Sequence, residues 1–232
     1  MLYFRELNGR MRKAREALAG FLGAQPENLV YVTNATYGVN LVAQALGKTM
    51  LAEGDEILAT DQEYGACKRA WIQYAVNKGV KFVEAKIPIP SPPLAELVDI
   101  IWSKVTPKTK ILFISHLTSP TAIRLPVEEL IARARKAGIV SFIDGAHVAG
   151  HFDLNLETLG ADLYTGNCHK WMCTPKGTAF LWASDAFKEK MTPLVVSWGS
   201  WIKTQGDGFF IDENEMLGTK DYSPQLSMPF CV

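Results

Sequence analysis

The sequence has little of the features that mark several specialised protein classes. Its 24 basic and 24 acidic residues balance, so its charge gives no reason to expect binding to nucleic acid or to an anionic membrane surface. Four scattered cysteines in 232 residues do not form a disulfide framework. The longest apolar runs, such as 111–114, are far too short for a transmembrane helix. We therefore expect a globular cytoplasmic protein that binds neither nucleic acid nor membranes.

What the sequence does contain is a regular alternation of short apolar runs and segments with helical periodicity. Seven apolar runs predict strands, at 29–33, 56–60, 80–87, 110–115, 139–144, 162–166 and 177–183. Because most of these runs are continuously apolar, they predict a mainly parallel sheet covered by helices on both faces, a three-layer α/β/α fold. We expect one domain over 1–232, with its core at about 25–185 and an irregular segment at 186–232.

Polar residues follow five of these strands. They lie at 34–36, 61–64, 115–121, 144–147 and 167–170. Ligands of such sheets bind outside the carboxyl ends of the strands, so we expect the five groups to converge on one rim. Thr36 is also predicted to cap a helix that begins at Tyr37, where free backbone amides and the helix dipole favour an anion such as phosphate.

Lys170 lies within the run GNCHKW, after an apolar strand and beside a histidine and a tryptophan. A partly buried lysine loses its proton more readily and can then condense with a carbonyl group. Pyridoxal phosphate fits this setting: Lys170 for its aldehyde, Asp144 for its ring nitrogen and Tyr64 for its ring face. The spacing leaves other roles for Asp144 open, as a general base, a turn former or a metal ligand. With His147 and His151 it also permits a metal-dependent hydrolase.

Six segments, in order, resemble the class V aminotransferase family of fold-type I pyridoxal-phosphate enzymes, in its isopenicillin-N-epimerase-like branch, which is related to cysteine desulfurases. The resemblance runs from about residue 5 to 230. It rests on TNATYGVN, DQEYGACKRAW, SHLTSPTAIRLP, FIDGAHVAGHFDLNL, LGADLYTGNCHKWMCTPKGTAFLW and LGTKDYSP.

The resemblance implies a role for each matching residue. Lys170 is the lysine that forms the aldimine, Asp144 pairs with the ring nitrogen, and His147 lies beside the ring hydroxyl. The remaining implied cofactor contacts are the phosphate turn at Ala35 and Thr36, the stacking Tyr64, Thr118 and Ser119 near the ring hydroxyl, Asn167 and His169 near the phosphate, and Gly218 and Thr219, which reach the phosphate of the neighbouring subunit in a homodimer.

The resemblance also implies a function, an enzyme that acts on an amino acid or a derivative as a transaminase, an epimerase or a C–S lyase. No metal is expected. The chain departs from the family pattern because it lacks the usual N-terminal segment and the small C-terminal domain. A truncated, non-catalytic relative that binds the cofactor or a partner therefore remains an alternative. We also expect exposed apolar side chains near the end of the chain, at Trp198, Trp201, Phe209 and Phe210.

Overall fold

The computed structural model describes residues 6–201 and 208–232 and contains one seven-stranded sheet. Its strands are β1 (Leu29–Val32), β2 (Glu56–Thr60), β3 (Lys81–Ala85), β4 (Thr109–Ser115), β5 (Val140–Asp144), β6 (Leu163–Asn167) and β7 (Ala179–Ala183). They lie in the order β1-β7-β6-β5-β4-β2-β3. Strands β3, β2, β4, β5 and β6 are parallel, whereas β7 is antiparallel to both β6 and β1. The predicted mainly parallel sheet is confirmed.

Helices cover both faces of the sheet. In the described residues they are α1 (Leu7–Leu22), α2 (Ala35–Thr49), α3 (Gly65–Tyr74), α4 (Leu94–Trp102), α5 (Val127–Lys136), α6 (Leu156–Leu159), α7 (Asp185–Lys188), α8 (Trp198–Trp201), α9 (Phe209–Glu215) and α10 (Ser223–Leu226). Side chains of one strand alternate between the two faces. Leu112 and Ile114 of β4 join the core on the side of α1, and Ile111 and Phe113 join the core on the side of α2. The fold is therefore the expected three-layer arrangement.

The first turn of α2 differs from the prediction. The helix begins at Ala35, and the residue that caps it is Asn34 rather than Thr36. Asn34 has an extended backbone, and its side-chain oxygen accepts a hydrogen bond of 2.8 Å from the Tyr37 amide. An asparagine caps a helix at least as well as a threonine. The Thr36 side chain is consequently not needed for the cap.

The segment after β7 is more ordered than predicted. We expected 186–232 to be irregular, but α8, α9 and α10 are helical. Residues 202–207 of this segment lie outside the described part of the chain. Two observations explain why α9 packs against β1: Phe210 is buried in the core, and Glu215 accepts a hydrogen bond from the Tyr31 amide of β1. Glu215 also forms a buried ion pair with Arg15 of α1.

The parallel strands end at one rim. Ser115 of β4 lies beside Asp144 of β5, which in turn lies beside Thr165 of β6. Gly145 follows Asp144 directly, and a Cβ atom at this position would overlap the hydroxyl group of Tyr164. This close approach requires glycine immediately after the Asp144 carboxylate. No described helix is long and apolar enough to cross a membrane.

Candidate functional site

A cavity of about 200 Å³ opens at this rim. Each of the five polar groups predicted from the sequence contributes at least one residue to it. Its lining comprises Asn34, Ala35, Thr36, Tyr64, Cys67, Ser115, Leu117, Ser119, Asp144, Ala146, His147, Asn167, His169 and Lys170. The strand order therefore brings together side chains that are up to 136 residues apart in the sequence, as we expected from a parallel sheet.

Asp144 is the buried acid of the cavity. One of its oxygens, Oδ1, accepts the Ala146 amide at 3.0 Å, and Oδ2 accepts the Cys67 thiol at 3.5 Å. Burial raises the pKa of Asp144, while the Ala146 amide, the Cys67 thiol and the nearby Lys170 lower it. Burial and the Asp144 carboxylate together raise the pKa of the Cys67 thiol, which therefore stays protonated as a donor. A positively charged group placed here would find a carboxylate already oriented toward it.

Lys170 ends in the cavity beside His147. Its Nζ lies 3.0 Å from His147 Nε2, and Trp171 Nε1 lies 3.4 Å from His147 Nδ1. We expected Lys170 to be partly buried, but it is exposed, because its side chain opens onto the cavity. Desolvation nevertheless lowers the pKa of Lys170, against the opposing effects of Asp144 and Cys67. Desolvation, Lys170 and His151 lower the pKa of His147, so its imidazole is neutral at neutral pH.

The opposite end of the cavity is the N-terminus of α2. The Asn167 side-chain oxygen accepts the Ala35 amide at 2.8 Å, which joins β6 to the first residue of the helix. His169 Nδ1 lies 2.8 Å from the Thr178 carbonyl oxygen. Because that carbonyl can only accept, Nδ1 carries a proton and Nε2 remains for another partner. The helix dipole, the Thr36 hydroxyl and the His169 ring give this end the chemistry of an anion site.

A second buried acid, Glu63, lies near the cavity. Glu63 accepts hydrogen bonds from Thr60 Oγ1 at 2.5 Å and Ser115 Oγ at 2.6 Å. Burial raises the pKa of Glu63 to about 7, although both hydroxyl groups act in the opposite direction. The next residue, Tyr64, is half exposed and lies on the cavity wall before α3. Glu63 thus connects to the cavity through the Ser115 hydroxyl.

Three of the predicted site residues do not line the cavity. Thr118 is buried and bonds to Thr121 Oγ1 and the Ile123 amide. Gly218 and Thr219 follow α9 and are likewise absent from its lining.

Four further lining residues, Asn34, Ser115, Leu117 and Ala146, lie within the predicted rim groups but had no individual role, and Cys67 lies outside those groups and was missed. Cys67 had a detectable signal, because it lies three residues after Tyr64 at the start of a helix, where both side chains share a face.

The histidines do not form a metal site in the described residues. His151 Nδ1 lies 3.1 Å from the His147 carbonyl oxygen, and the His151 ring packs on Trp171 with centroids 4.5 Å apart. Among residues 6–201 and 208–232 no cluster of three or more histidine, cysteine or acidic side chains has a metal-binding arrangement. The proposal of a metal-dependent hydrolase therefore gains no support from this geometry.

The sequence matches the family model described as aminotransferase class-V over residues 4–207. The chain belongs to this family. This assignment agrees with the resemblance seen in the sequence motifs. The Lys170 amine, the Asp144 carboxylate and the N-terminus of α2, which line the cavity, all lie within the matched residues.

Two curated relatives are named isopenicillin N epimerase. The one from Amycolatopsis lactamdurans is 35% identical and covers 98% of this chain, and the one from Streptomyces clavuligerus is 36% identical and covers 97%. Among solved structures, the cysteine desulfurase CsdA of Escherichia coli has a TM-score of 0.83, 26% identity and 98% coverage of this chain. The chain spans 58–60% of the length of the two epimerases and 57% of the desulfurase.

The residues around the cavity fit pyridoxal phosphate. A lysine amine is available for its aldehyde and a buried carboxylate for its ring nitrogen. The N-terminus of α2 is available for its phosphate. These three groups line the same cavity, so they agree with the cofactor expected for the family.

Proposed function

We propose that this chain forms the cofactor-binding part of a pyridoxal-phosphate-dependent enzyme that acts on an amino acid or a derivative. The observation that carries the proposal is the single cavity that holds the Lys170 amine, the Asp144 carboxylate and the N-terminus of α2. The family supports the cofactor predicted from the sequence. When bound, pyridoxal phosphate supplies an aldehyde that condenses with amines and a ring that withdraws electrons from the alpha carbon of a substrate.

Each residue has a distinct task in this proposal. Lys170 holds the cofactor covalently and carries protons at the alpha carbon of the substrate. Asp144 keeps a proton on the ring nitrogen, since a buried carboxylate stabilises the positive charge there. His147 lies beside Lys170 and is assigned to the ring hydroxyl, and Tyr64 to the ring face.

The remaining assigned cofactor contacts lie at the two ends of the cavity and beyond it. Ala35, Thr36, Asn167 and His169 are assigned to the phosphate, and Ser119 to the neighbourhood of the ring hydroxyl. Thr118 stands behind Ser119 and supports the same turn through the Ile123 amide. As the family resemblance implies, Gly218 and Thr219 are assigned to the cofactor of a second subunit; they do not line the cavity of their own chain.

The reaction type is an epimerisation or a C–S bond cleavage, with transamination as a further candidate. The relatives named isopenicillin N epimerase and the cysteine desulfurase structure support the first two. All three reactions share the removal of a proton from the alpha carbon, the step to which Lys170 and Asp144 are assigned.

We also propose that the chain forms a homodimer. Val196 is 79% exposed, Trp198 is 63% exposed and Phe230 is 89% exposed, so apolar surface lies near Gly218 and the end of the chain. Phe209, which was also expected to be exposed, is 40% exposed. The prediction for Phe210 was wrong, because that side chain is only 2% exposed. The Trp201 side chain lies outside the described part of the chain. Light scattering measures the mass of the particle in solution and so tests for a dimer.

A location in the cytoplasm stays a prediction from the sequence.

The test is covalent capture of the cofactor. Pyridoxal phosphate is added to the purified chain, the visible spectrum is recorded, and borohydride reduction is followed by mass spectrometry of the peptides. We expect reduced cofactor on Lys170. Lys170→Ala should abolish the visible band, and Lys176→Ala should retain it because Lys176 is an exposed lysine outside the cavity. Equal labelling of several lysines, with no dependence on Lys170, would contradict the proposal.

A further inference from the structure

Trp171, His147 and Lys170 form a continuous line of polar contacts that ends at the reactive amine. Trp171 Nε1 lies 3.4 Å from His147 Nδ1, and His147 Nε2 lies 3.0 Å from Lys170 Nζ. The Trp171 ring is fixed from behind by the His151 ring, at 4.5 Å between centroids. His151 in turn contacts the His147 carbonyl oxygen through Nδ1. The proposed function gives no role to Trp171 or His151.

The chemistry of these groups determines where the protons lie. An indole N–H can only donate, so Nδ1 of His147 accepts the Trp171 hydrogen bond and carries no proton. A neutral imidazole has one N–H, which must then be on Nε2. That N–H points at Lys170 Nζ, which can accept it only with a free electron pair. Both hydrogen bonds of the His147 ring can therefore form only when Lys170 is an uncharged amine.

The other tautomer of His147 has the opposite consequence. A proton on Nδ1 would face the Trp171 N–H, and two donors repel each other. Nε2 would then be an acceptor and would bind the ammonium form of Lys170. Trp171 disfavours this second state, because it can offer Nδ1 nothing except a donor.

We propose that Trp171 is a positioning residue that fixes the Nε2–H tautomer of His147 and thereby holds the Lys170 amine unprotonated, ready to attack a carbonyl group. The identity of that carbonyl as the aldehyde of pyridoxal phosphate rests on the proposed function. Trp171 itself stays outside the reaction and acts through His147.

Other charged groups face the same amine. Asp144, from the end of β5, and Cys67, from α3, raise the pKa of Lys170, whereas desolvation lowers it. His147 is faced by Lys170 and His151, both of which lower the pKa of its ring. Asp144 therefore favours the ammonium form, and the Trp171 contact opposes this attraction.

The first measurement is the tautomer of His147 in the cofactor-free full chain. The sequence contains four histidines, so nitrogen NMR of ¹⁵N-histidine-labelled protein is practicable, with His147→Gln used to assign the signal. We expect Nε2–H for His147 near neutral pH and a detectable Nδ1–H population in Trp171→Phe. Phenylalanine keeps an aromatic ring beside His151 and lacks the indole N–H donor. Nδ1–H in the unaltered chain would overturn the proposal.

The second measurement is the reactivity of the Lys170 amine. Trace labelling with acetic anhydride across a pH series, read by mass spectrometry of the Lys170 peptide, reports the uncharged fraction without any cofactor. We expect Trp171→Phe to lower labelling near pH 8 by about threefold to tenfold, the size of one exchanged hydrogen bond. The matched control is Trp102→Phe, a tryptophan at the end of α4 that lies outside the cavity, which should leave the labelling unchanged.

A double variant separates positioning through His147 from a general effect on structure. Trp171→Phe should have no further effect on Lys170 labelling in a His147→Gln background, because the glutamine amide can rotate and has no tautomers. An equal effect in both backgrounds would overturn the proposal. Failure of the proposed function would look different: the tautomer and the labelling would behave as expected, but pyridoxal phosphate would not be captured on Lys170.

Discussion

Two of the buried carboxylates of this protein, Glu215 and Asp144, have opposite surroundings. Glu215 lies between α1, α9 and β1, where Oε2 binds Arg15 at 2.7 Å and Oε1 accepts the Tyr31 amide at 2.8 Å. Asp144 lies at the rim, where its partners are an amide and a thiol. Burial raises the pKa of both acids, and Arg15 counteracts that rise at Glu215.

The difference shows how to separate a structural acid from a chemical one. The Glu215 carboxylate is bound by the guanidinium group of Arg15 and joins three elements of the fold. Asp144 has no ion pair among the described residues, and it opens onto a cavity that also contains a lysine. A buried carboxylate without a bound cation is costly unless a ligand supplies the charge. The two regions should therefore respond oppositely to loss of their charge.

The largest effect is expected when Glu215 loses its cation. Arg15→Met removes the guanidinium group bound to the buried Glu215 carboxylate and should lower the free energy of unfolding by about 3–5 kcal/mol, measured by urea denaturation. The double variant Arg15→Met with Glu215→Gln should recover most of this loss, since glutamine still accepts the Tyr31 amide. If the double variant were as unstable as the single one, the loss would come from packing rather than from charge.

For Asp144, at the rim, we expect loss of the charge to leave the free energy of unfolding unchanged or to raise it. Asp144→Asn removes a buried charge that has no cation bound to it, so the cofactor-free chain should be equally or more stable. Affinity for pyridoxal phosphate should fall by about 2–5 kcal/mol, because a charged partner of the ring nitrogen is lost. An absorbance titration with the cofactor measures this affinity. Destabilisation with unchanged cofactor affinity would place Asp144 with the structural acids.

The contrast between the two regions also explains what the sequence could predict. Asp144 ends one predicted strand and Asn167 directly follows another, in a regular alternation of strands and helices, so the parallel sheet and the convergence of their side chains were predictable from the pattern alone. The roles assigned to Lys170, His147 and Asp144 needed the family resemblance as well. Local spacing left Asp144 open to several roles.

Contacts between distant segments were not predictable. The Arg15–Glu215 pair joins residues 200 positions apart, and no local pattern marks either partner. The same applies to α9, whose short and partly polar sequence is held by burial of Phe210 against the core rather than by helix propensity. Thr36 shows the reverse case, in which a correct helix start was assigned to the wrong capping residue.

Glu63 is another buried carboxylate, and its stabilising contacts come from side chains, as at Glu215, but without a cation, as at Asp144. It has two hydroxyl donors and no cation in the described structure, and burial raises its pKa from 4.5 to about 7. Between these values the folded chain holds one more proton than the unfolded chain, so stability falls as the pH rises. The full change is about 3 kcal/mol, complete above pH 7.

Urea denaturation of the cofactor-free chain between pH 5 and pH 7.5 measures this change. Asp144 and Glu215 also have raised pKa values and give a slope of the same sign, so the informative quantity is the difference between the unaltered chain and Glu63→Gln. Glu63→Gln should lose stability less steeply with rising pH, because glutamine accepts a hydroxyl group without ionising. The exposed Glu16→Gln should leave the slope unchanged. Parallel slopes for all three proteins would mean that Glu63 is ionised throughout this range, with its charge stabilised by the Thr60 and Ser115 hydroxyl groups alone.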